Sequence, residues 1–274
     1  MILLTGDNDR ADVAHAIAQV EPLLQELVDE VVVDDGRDLS GRTPTLVINF
    51  GGDGSILRAA GRLGDHQVPL LGVNFGKFGF LAEYELPELL VNLERAVQGK
   101  LPTRQSLQLK VAVTCGGTRT ERTVINDVVL QRAPNQRMSH VFAHHDGALI
   151  ADYFGDGLIL STPLGSTAYN LAGGGALLHP ELNALILTPL CPHTLSLRPL
   201  VVPANGVLEL RIEGDDTLTI TMDGEGTLDL HGGDSVEVRK SETPLTLVAH
   251  PTRSYFDTLR LKFDWSKRTT VSRP

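Results

Sequence analysis

Cysteine is scarce in this chain: Cys115 and Cys191 are the only two. Two thiols so far apart make neither a disulfide framework nor a zinc site, and they point to a reducing compartment, the cytoplasm. No apolar run approaches the length that crosses a bilayer. The opening Met1-Ile2-Leu3-Leu4-Thr5-Gly6-Asp7 has an apolar stretch too short for a secretory leader, and an acid follows at once. It reads as a buried first strand. Positive charge is also in deficit, since 24 Lys and Arg stand against 34 Asp and Glu, a net −10. That balance argues against non-specific binding to nucleic acid or an anionic membrane. A phosphorylated small molecule stays possible if Mg²⁺, a few Arg or Lys and backbone N–H groups meet its charge locally.

What the chain does have is a 42% hydrophobic content over 274 residues, enough for two domains of ordinary size. Its first hundred residues alternate short apolar runs (Ile2–Thr5, Val31–Asp34, Thr45–Phe50, Leu70–Asn74) with helical stretches (Arg10–Val28, Ile56–Leu63, Pro87–Gln98). This rhythm predicts a Rossmann-like parallel α/β domain over residues 1–100. After Gly99-Lys100-Leu101-Pro102 the period becomes two, as in Leu107, Leu109, Val111 and Val113, and again in Leu208–Glu213, Leu218–Asp223 and Val236–Lys240. A mostly antiparallel β domain follows over 101–250. The amphipathic stretch Tyr255–Phe263 lies in a tail, 251–274, expected to return to the first domain.

Gly51-Gly52-Asp53-Gly54-Ser55 follows the third strand and precedes an apolar helix. Glycines there let N–H groups approach a phosphate closely. A carboxylate among them suits another task, accepting the proton of a hydroxyl that attacks phosphorus. An ordinary tight turn with Asp53 capping the helix accounts for the same residues. Neither a P-loop nor Gly-x-Gly-x-x-Gly after the first strand is present.

Four further segments accompany that turn: Asn74-Phe75-Gly76-Lys77-Phe78-Gly79-Phe80-Leu81-Ala82-Glu83; Asn126-Asp127 within Thr123–Leu130; Asp156–Tyr169 running into Gly173-Gly174-Gly175; and Pro192-His193-Thr194-Leu195-Ser196-Leu197-Arg198-Pro199. In this order and spacing the set resembles the NAD kinase family over residues 45–265. The Asp156–Tyr169 stretch is highly specific. The glycine turn is not, since phosphofructokinases and lipid kinases have similar ones.

The resemblance implies an α/β domain followed by a β-sandwich-like domain, with NAD bound in the crevice between them. It implies transfer of the ATP γ-phosphoryl to the adenosine ribose 2′-hydroxyl, with a divalent metal, Mg²⁺, brought by ATP and no metal site of the chain's own. It also implies a homo-oligomer, tetramer or dimer. By position, Asp53 becomes the general base and Gly54 part of the phosphate turn. Arg58 reaches a phosphate or is a plain helix cation. Asn126 and Asp127 hold the adenosine, Arg137 is a weaker contact, and Asp156 binds the nicotinamide end unless it is merely an Asp-Gly hairpin turn. Thr167, Ala168, Tyr169, Asn170, Leu171 and Ala172 line the dinucleotide site. His193 belongs to a structural turn, and His144-His145 are expected to be solvated, since neighbours on a strand face opposite ways. Asp127 stands where the family has Glu, Leu164 and Ser55 where it has Thr, and Ala172 where it has Ser, which bears on the choice of NAD or NADH. A diacylglycerol-type lipid kinase shares the turn but needs a membrane contact, and no basic amphipathic stretch supplies one. A non-catalytic NAD-binding protein would not need Asp53.

Overall fold

Apolar runs without polar alternation build the first sheet. The computed structural model describes residues 1–7, 9–34, 36, 43–76, 79–133, 136–214 and 216–265. Lys77 and Phe78 of the Asn74–Glu83 segment, and the tail beyond residue 265, lie outside them. Two compact units divide the chain: Met1–Arg104 with Thr246–Pro274, and Gln105–Leu245.

In the first unit, strands β1 (Ile2–Gly6), β2 (Val31–Val33), β3 (Leu46–Phe50) and β4 (Leu70–Val73) pair in parallel in the order β2-β1-β3-β4. β18 (Leu245–Val248) and β5 (Thr103–Ser106) extend the sheet beyond β4, and the unit boundary runs through both. The chain winds from β1 to β2 and then returns to the other side of β1 with β3. Such a reversal, at the carboxyl ends of the strands, is where open α/β sheets place ligands.

Helix α1 (Ala11–Gln25) buries Val13, Ala16, Ile17, Val20 and Leu24, a single apolar stripe. It ends three residues before the predicted Val28, and Pro22 in its last turn lacks a helical N–H. Helix α2 (Asp53–Leu63) begins three residues ahead of the predicted Ile56, because extended Gly52 is its N-cap. α3 (Leu86–Val97) opens with a Glu85/Glu88 capping box. α5 (Tyr255–Phe263) opens with a Ser254/Asp257 box and belongs to the first unit. There the Phe80 ring lies 6.4 Å from Tyr255 and 6.2 Å from Phe263.

The second unit is two antiparallel sheets around one core. One sheet contains β6 (Leu109–Cys115), β7 (Thr118–Val124), β9 (Ser139–His145), β10 (Ala148–Gly155), β14 (Val207–Ile212) and β17 (Ser235–Lys240), in the order β10-β9-β14-β17-β6-β7. The other contains β8 (Asp127–Arg132), β11 (Gly157–Ser161), β12 (Ala184–Leu190), β13 (Leu200–Pro203), β15 (Thr217–Met222) and β16 (Glu225–His231), in the order β13-β12-β11-β8-β15-β16. Val111, Val113, Leu208, Leu210, Val236 and Val238 from the first meet Val128, Leu130, Leu158, Leu160, Leu218 and Ile220 from the second. The period of two read from the sequence is therefore the inward face of each strand. The short helix α4 (Tyr169–Ala172) follows a 3₁₀ turn at Gly165–Thr167.

Candidate active site

Asp53 occupies the first helical position of α2, at the positive end of its dipole. Its carboxylate does not cap that helix. Instead Oδ2 accepts from the Phe80 N–H (2.8 Å), and Oδ1 accepts from Leu81 (2.9 Å) and Ala82 (3.3 Å). The capping reading of the glycine turn is thereby corrected: Asp53 grips a loop about thirty residues away. Behind it, Asn49 at the end of β3 is buried and donates to Thr5 Oγ1 (2.9 Å). Ser55 Oγ lies 2.7 Å from both Asn49 Oδ1 and the Gly52 carbonyl. This chain of bonds ties the carboxyl ends of β1 and β3 to the first turn of α2.

A cavity of about 350 Å³ opens at the same edge, lined by Thr5, Gly6, Asp7, Asp34, Asn49, Ser55, Arg58, Ala59 and Arg62. Arg62 pairs with Asp34. Arg58 is exposed and makes no ion pair among the described residues. It is one of the residues that line the cavity. Gly54 is exposed in the first turn of α2.

In the second unit, Asn126 and Asp127 lie where β8 begins. Three successive N–H groups there, of Ile125 (2.9 Å), Asn126 (2.6 Å) and Asp127 (3.2 Å), point at the carboxylate of Asp223. Asn126 Oδ1 is buried without a hydrogen-bond partner among the described residues, and the Asp127 carboxyl, 5% exposed, feels burial and the Asp223 charge but no hydrogen bond. Two unpaired acceptors side by side suit a ligand that brings donors, as ribose hydroxyls do. Burial, and then the neighbouring Asp223, push the Asp127 carboxyl up to about 7. Burial also raises Asp223, against the pull of its three N–H donors.

Asp156 is not in a hairpin. β10 belongs to one sheet and β11 to the other, so Gly155-Asp156-Gly157 carries the chain across between them. The Asp156 carboxylate accepts from Arg132 Nε at 2.6 Å. Thr167, Ala168, Tyr169, Leu171 and Ala172 are partly or well exposed, whereas Asn170 is fully buried. Its side chain donates to the Ser166 and Ala176 carbonyls (3.0 and 3.1 Å) and accepts from Thr188 Oγ1 (2.6 Å). Asn170 thus holds the segment from inside. Arg137 is exposed in the segment between β8 and β9. His193 is exposed, with its N–H on the Phe154 carbonyl, as a turn residue should be. The solvated reading of His144-His145 is corrected: both are half-buried, His144 Nδ1 without a partner among the described residues and His145 Nε2 near the Pro203 and Asn205 carbonyls.

Sequence reasoning missed Gly79, Thr162 and Asp223, which shape these sites through contacts across long stretches of chain. Asp223 was legible as the end of the Leu218–Asp223 run, but nothing local marks its carboxylate as the acceptor for residues almost a hundred positions earlier.

A carboxylate held at a glycine turn on the carboxyl edge of a parallel sheet, in a chain whose other unit is antiparallel, fits one class: phosphotransferases acting on a hydroxyl. Family models narrow it, since the ATP-NAD kinase N-terminal domain matches residues 11–101 and the ATP-NAD kinase C-terminal domain matches 125–250. NAD kinase of Geotalea daltonii is 37% identical over 234 residues, 85% of this chain and 82% of that protein. NAD kinase of Acidobacterium capsulatum is 42% identical over 233 residues, covering 84% and 82%. The chain belongs to the NAD kinase family, phosphotransferases that make NADP from NAD and ATP. Two solved structures share its fold: yeast NADH kinase complexed with NADH (TM-score 0.89, 21% identity, 99% of this chain and 89% of that one) and an Archaeoglobus fulgidus NAD kinase in complex with ATP (0.80, 23%, 96% and 99%).

Proposed function

We propose that Asp53 is the general base that directs the adenosine ribose 2′-hydroxyl of NAD at the γ-phosphorus of ATP. The observation that carries this reading is how its carboxylate is held. An ionised carboxylate has about four acceptor positions, and three are filled by Phe80, Leu81 and Ala82. Oδ2, which accepts one of these bonds, keeps a position for a hydroxyl. The bonds hold the group still. A largely dissociative transfer asks for a positioned nucleophile more than an early proton loss, so Asp53 orients the hydroxyl and takes its proton late.

Asn126 and Asp127 hold the adenosine through hydrogen bonds that exist before reaction. Gly54 and Arg58 face phosphate. Asp156, with Arg137 and the exposed members of Thr167–Ala172, contributes to the rest of the dinucleotide site. Residues 1–100 with the returning tail form the catalytic domain, and 101–250 the NAD-binding domain.

A divalent ion fits this site as a passenger on ATP. Mg²⁺ on substrate phosphates keeps several waters and asks little of the protein. When bound, it neutralises phosphate charge.

Cytoplasmic location is supported by two free cysteines, and no helix among the described residues is long and apolar enough to cross a membrane. A homo-oligomer, tetramer or dimer, is supported by edge strand β13, where Leu200 and Val201 are 41% and 45% exposed. Sedimentation as a fully active monomer at micromolar concentration would contradict it. The activity is tested with purified protein, NAD, ATP and Mg²⁺ beside a diacylglycerol control. NADP is the expected product, and lipid phosphorylation without NADP would overturn the reading.

A further inference from the structure

We propose that Asp223 is a positioning residue for the NAD-binding turn, acting through Asn126 and Asp127; this rests on the reading that those two hold adenosine. Its carboxylate receives all three N–H groups of Ile125–Asp127, Oδ1 taking two and Oδ2 one. The carbonyls of the same three residues are also fixed. Thr162 Oγ1 donates to Ile125 (2.7 Å), the Thr162 N–H to Asn126 (2.9 Å), and the Asp223 N–H returns to Asp127 (3.0 Å). Every backbone polar group of the turn is therefore engaged by Asp223 or Thr162. Gly165 packs so tightly on the far side that a Cβ there would lie 2.7 Å from Asn126 Cα.

The side chains are treated in the opposite way. Asn126 Oδ1 and the Asp127 carboxylate have no partner among the described residues, while the backbone beneath them is locked. That is the arrangement of a preorganised acceptor pair: the turn's conformational freedom is removed before the ligand arrives. Asp223 also holds φ +53°, a left-handed conformation uncommon outside glycine, Asn and Asp. The position thus combines a backbone that selects very few residue types with a carboxylate aimed at the turn. A half-buried acid set beside the buried Asp127 is costly to stability alone. Its gain lies in where it sets Asn126 and Asp127.

The test separates charge from backbone. D223N keeps size and tolerates the left-handed conformation, but sets an NH₂ group against one of the N–H donors. D223G keeps the backbone and removes the acceptors. Both should raise the Kd for NAD by roughly tenfold or more, the loss expected when charge-assisted bonds go. The KM for ATP and kcat at saturating NAD should stay within a few-fold. Should D223N not fold, T162V carries the same test through the Ile125 carbonyl. A double-mutant cycle with D127N adds a readout that a merely structural role would not move. Positioning through Asp127 requires the double variant to bind NAD little worse than D127N alone. Additive losses, or equal rises in both substrates' KM together with a lowered Tm, would overturn the proposal. Unchanged NAD binding in D127N itself would sink the adenosine reading. Weakened binding in D127N but not in D223N would sink the positioning role alone.

Discussion

Gly79 and Asp53 lie in direct contact: a Cβ on Gly79 would sit 2.8 Å from the Asp53 carboxyl carbon and closer still to Oδ1. The loop that donates three N–H groups to Asp53 can close on it because residue 79 has no side chain. G79A should therefore displace the carboxylate rather than unfold the unit. A shift near 1 Å at a reacting group can cost about 10²-fold. The expected outcome is kcat lowered on that scale with NAD affinity nearly kept, measured by steady-state kinetics and calorimetry. Normal turnover would show that the Asp53–loop contact has no part in catalysis.

D127A should chiefly weaken NAD binding. Charge-assisted hydrogen bonds to ribose hydroxyls are worth roughly 1.5–3 kcal/mol, so Kd should rise about tenfold or more. The KM for ATP should move much less. Unchanged NAD affinity by calorimetry would remove Asn126-Asp127 from the adenosine site.

The raised Asp127 carboxyl has a consequence for pH. Its folded value of about 7 lies above the ordinary 3.8, so between those limits the folded chain holds a proton that the unfolded chain has lost. Stability from this group is therefore full below about pH 4, falls as pH rises, and is lowest above 7, a change on the order of a few kcal/mol. D127N should flatten that slope, gaining most at pH 8 in denaturant titrations. Ligand binding runs the other way. Hydroxyl donors favour the ionised form, so NAD affinity should strengthen from pH 6 to 8 in the native chain and stay flat in D127N. The opposite slope would mean that Asp127 binds NAD as a neutral donor.

N170A should damage stability. The Asn170 side chain is fully buried and joins Ser166, Ala176 and Thr188. Its removal leaves buried partners unsatisfied, at about 1–3 kcal/mol for each. A clearly lowered Tm is expected, with the remaining folded enzyme still active. An unaltered Tm with lost NAD binding would instead place Asn170 in contact with the ligand.

Much of the fold was legible because it rests on local period. Thr45–Phe50 reads as a strand covered on both faces, and Leu208–Glu213 as one with a wet face, from their own residues. The glycine turn was legible as the junction between strand and helix for the same reason. The rest depended on distance in sequence. Gly52 shifted the start of α2 to Asp53, and the Asp53 carboxylate turned away from its own helix to the Phe80–Ala82 backbone. Asp156 resembled a hairpin locally, but the strands on either side of it belong to different sheets. Asp223 and Thr162 converge on Ile125–Asp127 only through β-sheet pairing, which no window of sequence contains.

Turnover and NAD affinity of D53N, measured on one preparation together with its Tm, bear most directly on Asp53 as the general base. Asparagine keeps the size of the side chain but loses the charge and the basic oxygen. The expected result is kcat lower by about 10²–10⁴, with NAD affinity changed far less and the protein still folded. Turnover within a few-fold of the native enzyme would contradict the assignment.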